Sequence, residues 1–291
     1  MIPALNIVAW GNVVPWAEQR QVEQDLIISR GIVAIFADPV LSRELRFRGS
    51  TALNKLHFTA PLRYSEDIDL VRTSAGPIGP ILDSLRAVME RWLGRAQFDQ
   101  SPVAPKLRFR VDAEDCGPPI RLKVEINTRE ITALDPPITI PLHVQNPWFT
   151  GAADVPTFSR EEMLATKLRA LLQRDKGRDL FDLDHAIGAF DGLDAARLVT
   201  FFGQYLAQQG QAISRAQAQE RMFAKLANPR FLTDMRPLLP AAQAVLLTEE
   251  ATKAAFSRVF KQIVDLIPGD PWVRAAEMNE RFGLAETAND D

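Results

Sequence analysis

The sequence predicts an α+β protein, in which a mixed sheet with accompanying helices is followed by an almost wholly helical region. Three observations carry that expectation. Short β-rich runs recur at Leu45–Arg48, Ile68–Arg72, Leu107–Val111, Arg121–Asn127 and Ile138–Val144, separated by turns. After Pro147 and Gly151 the apolar spacing becomes helical to the end of the chain. A length of 291 residues with 46% apolar and 24% charged residues suits two folded domains of ordinary size and composition.

The first predicted element is a helix over Pro15 to Ala37, with Val22, Leu26, Ile27, Ile32, Val33 and Phe36 near helical spacing and Pro39 as a stop. The β-rich runs follow, interrupted by a clear helix from Ile78 to Leu93. The mixed-sheet domain is expected to end near 150, giving residues 1–150 as one unit and 151–291 as a helical one. In Ser159-Arg160-Glu161-Glu162, Ser159 and Glu162 form a capping box that opens a helix with its apolar stripe at Leu164, Leu168, Leu171 and Leu172. Further helices are expected over 179–189, 194–208, 214–227, 248–266 and 271–282, with 283–291 as an acidic tail.

Scarcity of residue types narrows the chemistry. One cysteine, Cys116, forbids an intrachain disulfide or a multi-cysteine zinc site, and His57, His143 and His185 show no metal-ligand spacing. With 37 acidic and 34 basic residues, carboxylate chemistry supported by Lys and Arg is expected. The net charge of -3 averages over local basic segments at 42–72 and 160–178, so a basic site on a mildly acidic protein fits. No run approaches the ~18 apolar residues of a membrane span, and the N-terminus lacks the order of a signal peptide. With a lone thiol and no export signal, a cytoplasmic location is expected.

Four segments could carry chemistry. Phe47-Arg48-Gly49-Ser50-Thr51 reads as a strand, a tight turn and a helix start. Gly49 there allows close approach of an anion, and Ser50 and Thr51 supply hydroxyl donors, although a plain helix cap has the same pattern. Asp67 and Asp69 are two apart in a β run, so both carboxylates face one way while Ile68 turns to the core. Such a pair suits Mg²⁺, and an Asp-rich strand edge would look alike. In Arg121–Asn127, Leu122, Val124 and Ile126 share one face and Lys123, Glu125 and Asn127 the other, making Glu125 the natural third metal carboxylate, or else a cross-strand ion-pair partner. Lys167 lies at the edge of the stripe in the helix opened by Ser159. Beyond it, Gly177 interrupts helix and Asp179 and Asp182 share a face at i and i+3, which a salt-bridged helical hairpin would also explain.

Taken in order, Gly49-Ser50-Thr51-Ala52-Leu53, Arg63-x-Ser65-Glu66-Asp67-Ile68-Asp69-Leu70, Lys167-Leu168-Arg169-Ala170-Leu171 and Arg178-Asp179-Leu180-Phe181-Asp182-Leu183 resemble the AbiEii family of nucleotidyltransferase toxins, over roughly residues 40–190. The resemblance implies a nucleotidyltransferase sheet domain and a helical domain closing a nucleotide cleft. It implies that Gly49 and Ser50 contact the triphosphate, that Asp67 and Asp69 bind Mg²⁺, and that Lys167 and Asp182 match later family positions, with Arg178 and Asp179 as neighbours. Ser50 stands where many relatives carry a second Gly. The implied activity is transfer of nucleotides from an NTP to tRNA 3′ ends, blocking translation, with a separately encoded antitoxin as partner. The same chemistry on a protein hydroxyl or small molecule, or a non-catalytic nucleotide- or RNA-binding module, are the alternatives. Phosphorylation of Ser50 or Thr51 would occupy the triphosphate position.

Overall fold

The computed structural model describes residues 2–284, so nearly all of the expected acidic tail at 283–291 lies outside the described residues. The chain divides into two compact units, one of residues 1–159 with 238–241 and one of 160–237 with 242–291.

The first unit contains helices α1 (Ala4–Gly11), α2 (Gln19–Phe36) and α3 (Pro39–Glu44), strand β1 (Leu45–Arg48), and α4 (Gly49–Ala52), which runs into a π-helical turn at Leu53–His57. Strand β2 (Asp67–Arg72), α5 (Gly79–Leu93), β3 (Gln97–Asp99), β4 (Lys106–Val111), β5 (Ile120–Asn127), β6 (Ile138–Asn146) and β7 (Phe149–Thr157) complete it. Pro39 ends α2 as expected, yet it also opens α3. Its fixed φ suits the first helical position, and the Asp38 side chain accepts from the backbone N–H groups of Val40 and Leu41.

All seven strands form one mixed sheet in the order β3-β4-β5-β2-β1-β7-β6. Strand β2 runs antiparallel to β1 and parallel to β5. One face carries Ile68, Leu70, Leu107, Phe109, Leu122, Val124 and Ile126, each at most 1% exposed, beneath α2 and α5. The contact is tight: a Cβ built on Gly31 of α2 would stand 3.2 Å from Ile68 Cδ1 and 3.1 Å from Met89 Cε. The opposite face carries Asp67 and Asp69 of β2 and the polar alternate residues of β4 and β5.

Strand β7 is absent from the sequence expectation, and the break expected near 150 falls inside it. Pro147 belongs to a hairpin turn, where Asn146 Oδ1 accepts from the Trp148 N–H at 2.9 Å. The hairpin pairs β6 with β7 from Ile138↔Thr157 to Asn146↔Phe149. Pairing supplies the strand character that Gly151, Ala152, Ala153 and Pro156 withhold from local propensity.

From Arg160 the chain is helical: α6 (Arg160–Gln173), α7 (Gly177–Ala189), α8 (Ala195–Ala207), α9 (Arg215–Leu226), α10 (Pro229–Thr233), α11 (Ala241–Leu246), α12 (Glu249–Gln262) and α13 (Ala275–Phe282). In the second unit α6 packs on α7 and α8, and α12 on α7. Phe223 lies 5.6 Å from Phe256 and 5.2 Å from Phe260, centroid to centroid, which gives the unit an aromatic core. Among the described residues no helix is long and apolar enough to cross a membrane.

Candidate active site

The polar face of the sheet concentrates charge at the start of β2. Asp67 and Asp69 project from the same side, as period-two geometry requires, and the parallel register sets Asp67 opposite Lys123 and Asp69 opposite Glu125. Lys123 Nζ lies 3.0 Å from Asp67 Oδ2 and 3.1 Å from Glu125 Oε2. A second ammonium, Lys106 Nζ, lies 3.4 Å from the same Glu125 oxygen.

These neighbours set the ionisation of the site. Burial pushes the Asp69 carboxyl above its ordinary range, repulsion from Asp67 and Glu125 adds to the effect, and Lys123 and Arg48 oppose it. Burial alone would pull the Lys123 ammonium down, but Asp67, Asp69 and Glu125 together hold it above its usual value. The protein thus gathers more negative charge than half-buried carboxylates tolerate without a cation, and Lys123 supplies one.

Gly49 closes the other side. Strand β1 ends at Arg48, opposite Asp69 in the antiparallel ladder, and the chain turns at once into α4 with Gly49 at φ +86°. A Cβ on Gly49 would stand 2.3 Å from Asp69 Oδ2, so only glycine allows the backbone this close to the carboxylate.

The segment after Gly49 is fixed from beneath. Ser50 Oγ accepts from Arg63 Nη2 at 2.6 Å, while Arg63, 1% exposed, also donates to the Tyr64 carbonyl at 3.2 Å. Asn54 donates to the Ser50 carbonyl at 2.9 Å and accepts from the N–H groups of Leu62 and Arg63 at 3.0 and 3.2 Å. Thr51 departs from its expected role. It is 2% exposed, and its hydroxyl bonds Ser65 Oγ at 2.8 Å and the Asp67 carbonyl at 2.5 Å. This hydroxyl ties α4 to the start of β2 rather than facing a ligand.

The donor set fits a hard divalent cation in part. Asp67 and Asp69 offer oxygens from one strand face, as Mg²⁺ sites built on one or two carboxylates do, and the glycine cradle leaves the Asp69 carboxylate uncovered by a side chain. Among the described residues, however, no group of three or more His, Cys, Asp or Glu is arranged to hold a metal ion. Glu125, the expected third ligand, is drawn to Lys106 and Lys123 instead. Sequence reading also missed Lys123, Arg48, Asn54 and the burial of Arg63. Lys123 alone carried a signal, since it shares the Glu125 face of an alternating strand.

In the second unit, Lys167 on α6 meets both expected acids of α7. Its Nζ lies 2.8 Å from Asp182 Oδ2 and 3.6 Å from Asp179 Oδ1, and Asp179 also takes a two-pronged bond from Arg174 at 2.7 and 2.8 Å. Both aspartates are fully buried. The shared face at i and i+3 is therefore real, and it ties α6 to α7 by charge. Gly177 does not interrupt a helix: it is the first residue of α7, where a Cβ would stand 2.1 Å from the Phe231 carbonyl oxygen. Arg178 makes no ion pair in this cluster, and its buried Nε has no hydrogen-bond partner among the described residues.

Comparison with known proteins adds independent findings. The family model described as nucleotidyl transferase AbiEii toxin, type IV TA system, matches residues 32–262. No curated protein matches. Among solved structures, MenT4, a nucleotidyltransferase toxin from Mycobacterium tuberculosis H37Rv, superposes with a TM-score of 0.56 at 14% identity, covering 99% of this chain and 100% of its own. JHP933 from Helicobacter pylori gives a TM-score of 0.48 at 16% identity over 85% of this chain and 96% of its own. The MenT4 likeness shows a shared fold.

Proposed function

The chain belongs to the AbiEii family of nucleotidyltransferase toxins of type IV toxin–antitoxin systems, and from that premise we propose that it adds nucleotides from an NTP to tRNA 3′ ends in a Mg²⁺-dependent reaction that blocks translation. A separately encoded antitoxin follows from the family. The cytoplasm, where NTPs and tRNA meet, is the proposed location. The observation that carries the reading is the Asp67–Asp69 pair on one strand face with Gly49 packed against Asp69.

In this reading the acceptor hydroxyl gives up its proton to solvent as its oxygen attacks the α-phosphorus of the NTP, a new phosphoester bond forms, the bond from the α-phosphorus to the bridging oxygen breaks, and pyrophosphate leaves. Asp67 and Asp69 would hold Mg²⁺, with Glu125 joining once released from its lysines. Bound Mg²⁺ supplies Lewis-acid stabilisation of charge on the transferring phosphoryl group. The Gly49–Ser50 backbone offers phosphate oxygens an approach free of side chain, and Arg63 and Asn54 hold that segment in place. With Mg²⁺ held by the carboxylates, the Lys123 ammonium would be free to pair with a phosphate oxygen instead. In the helical unit, Asp182 orients the Lys167 ammonium, which we take as a phosphate-neutralising cation. Ser50, with Thr51 turned inward, is the better-placed hydroxyl for an inhibitory phosphorylation.

The test is incubation of the purified protein with total tRNA, Mg²⁺ and each radiolabelled NTP in turn. Label on RNA, lost without Mg²⁺, is expected; label on a protein band or a small molecule would redirect the acceptor assignment.

A further inference from the structure

Across the antiparallel β4/β5 pair, Arg110 stands directly opposite Arg121. Both are exposed, and like charges at directly opposed strand positions repel. Neither guanidinium makes an ion pair or hydrogen bond among the described residues. Among the described residues no acidic side chain relieves the pair.

Its position relative to the carboxylates follows from the strand register. Residues opposed in a ladder share a sheet face. One row therefore runs Asp69, Glu125, Lys106 and the next runs Asp67, Lys123, Arg108. Arg121 and Arg110 form the row after that, two residues along each strand and about 7 Å away. In the first two rows every cation is matched: Lys106 to Glu125, Lys123 to Asp67 and Glu125, and Arg108 to Asp99 at 2.9 Å. The face thus grades from acidic to basic, and the unmatched charge lies at its far edge.

We propose that Arg110 and Arg121 together bind a backbone phosphate of the single-stranded RNA acceptor, about two nucleotides in from the 3′ hydroxyl at the ~3.4 Å rise of a stacked strand. This rests on the reading that the acceptor is an RNA 3′ end. A phosphate between two guanidinium forks converts their repulsion into charge-assisted hydrogen bonds, and guanidinium geometry matches phosphate oxygens in pairs. The site orients the acceptor strand so that its last hydroxyl reaches the Asp67–Asp69 pair.

The experiment is fluorescence anisotropy of a 5′-labelled RNA oligonucleotide with a free 3′ hydroxyl, titrated with the full chain without NTP or Mg²⁺ at several salt concentrations. The double variant R110Q/R121Q is expected to bind about tenfold more weakly and to flatten the dependence of log affinity on log salt by about 0.7, the slope of one phosphate contact on a single strand, since both arginines hold the same phosphate. The charge-matched control R91Q/R95Q, at exposed positions on and just after α5, is expected to leave affinity and slope close to wild type. In transfer assays the double variant should raise KM for RNA while kcat at saturating RNA stays near wild type. Unchanged affinity and slope in R110Q/R121Q, or an equal loss in R91Q/R95Q, overturns the site while leaving the proposed function standing. Absence of RNA binding by the wild-type chain overturns the RNA reading itself.

Discussion

Gly49 and Asp69 are packed so closely that the smallest side chain cannot fit between them: a Cβ on Gly49 would lie 2.3 Å from Asp69 Oδ2. The glycine also holds φ at +86°, where a side chain is strained. Gly49→Ala must therefore shift the carboxylate, the start of α4, or both. A displacement of about 1 Å in a positioned group can cost on the order of 10²-fold in rate. Gly49→Ala is expected to lower transfer activity by about that factor with folding largely retained, as read by kcat and circular dichroism on one preparation.

Lys123 neutralises Asp67 and Glu125, with side-chain exposures of 29%, 41% and 27%. Partly exposed pairs are screened, so the two contacts contribute about 1 kcal/mol together, or roughly 2–4 °C in a unit of this size. Lys123→Gln is expected to lower Tm by that amount without Mg²⁺ and to recover it at millimolar Mg²⁺, because the metal replaces the missing charge. Thermal melts with and without the ion check this, and equal Mg²⁺ responses in variant and wild type would remove Lys123 from the account.

The Lys167 ammonium faces two fully buried carboxylates. Removing it strands Asp182 without its 2.8 Å partner, and breaking a buried pair in this way costs about 3–5 kcal/mol. Lys167→Met is expected to lose that much in denaturant unfolding, while K167M/D182L regains most of it by removing both charges. If the double variant regains stability but not transfer, the ammonium acts on the nucleotide as well as on the fold; recovery of both would assign it to the fold alone.

At the start of α7, Gly177 lies against the Phe231 carbonyl, 2.1 Å from where a Cβ would be. Backbone cannot yield as a flexible side chain does, and overpacking typically costs about 1–3 kcal/mol. Gly177→Ala is expected to destabilise the helical unit at the upper end of that range. An unfolding midpoint equal to wild type would show that α10 moves aside without cost.

Much of this was legible in the sequence where one residue type per face settles the matter. Ile120, Leu122, Val124 and Ile126 alternate with polar residues because β5 buries one face and leaves the other partly exposed, so its strand and the direction of Glu125 could be read locally. The shared face of Asp67 and Asp69 followed from the same period. What Glu125 and Asp69 face was not legible, since it depends on a parallel register between segments more than fifty residues apart. Nor could Thr51 be told from Ser50: adjacent helical residues point about 100° apart, and only the fold decides which hydroxyl turns inward. Strand β7 stayed hidden because its glycine, alanines and proline become a strand by pairing with β6.

The most direct measurement is mass spectrometry of tRNA 3′-terminal fragments after incubation with the protein, Mg²⁺ and mixed NTPs, alongside Asp69→Asn. The account predicts fragments heavier by whole nucleotide residues with wild-type protein and unmodified fragments with the variant, although both fold alike. Unmodified tRNA with the wild-type protein, or the same additions with Asp69→Asn, would contradict it.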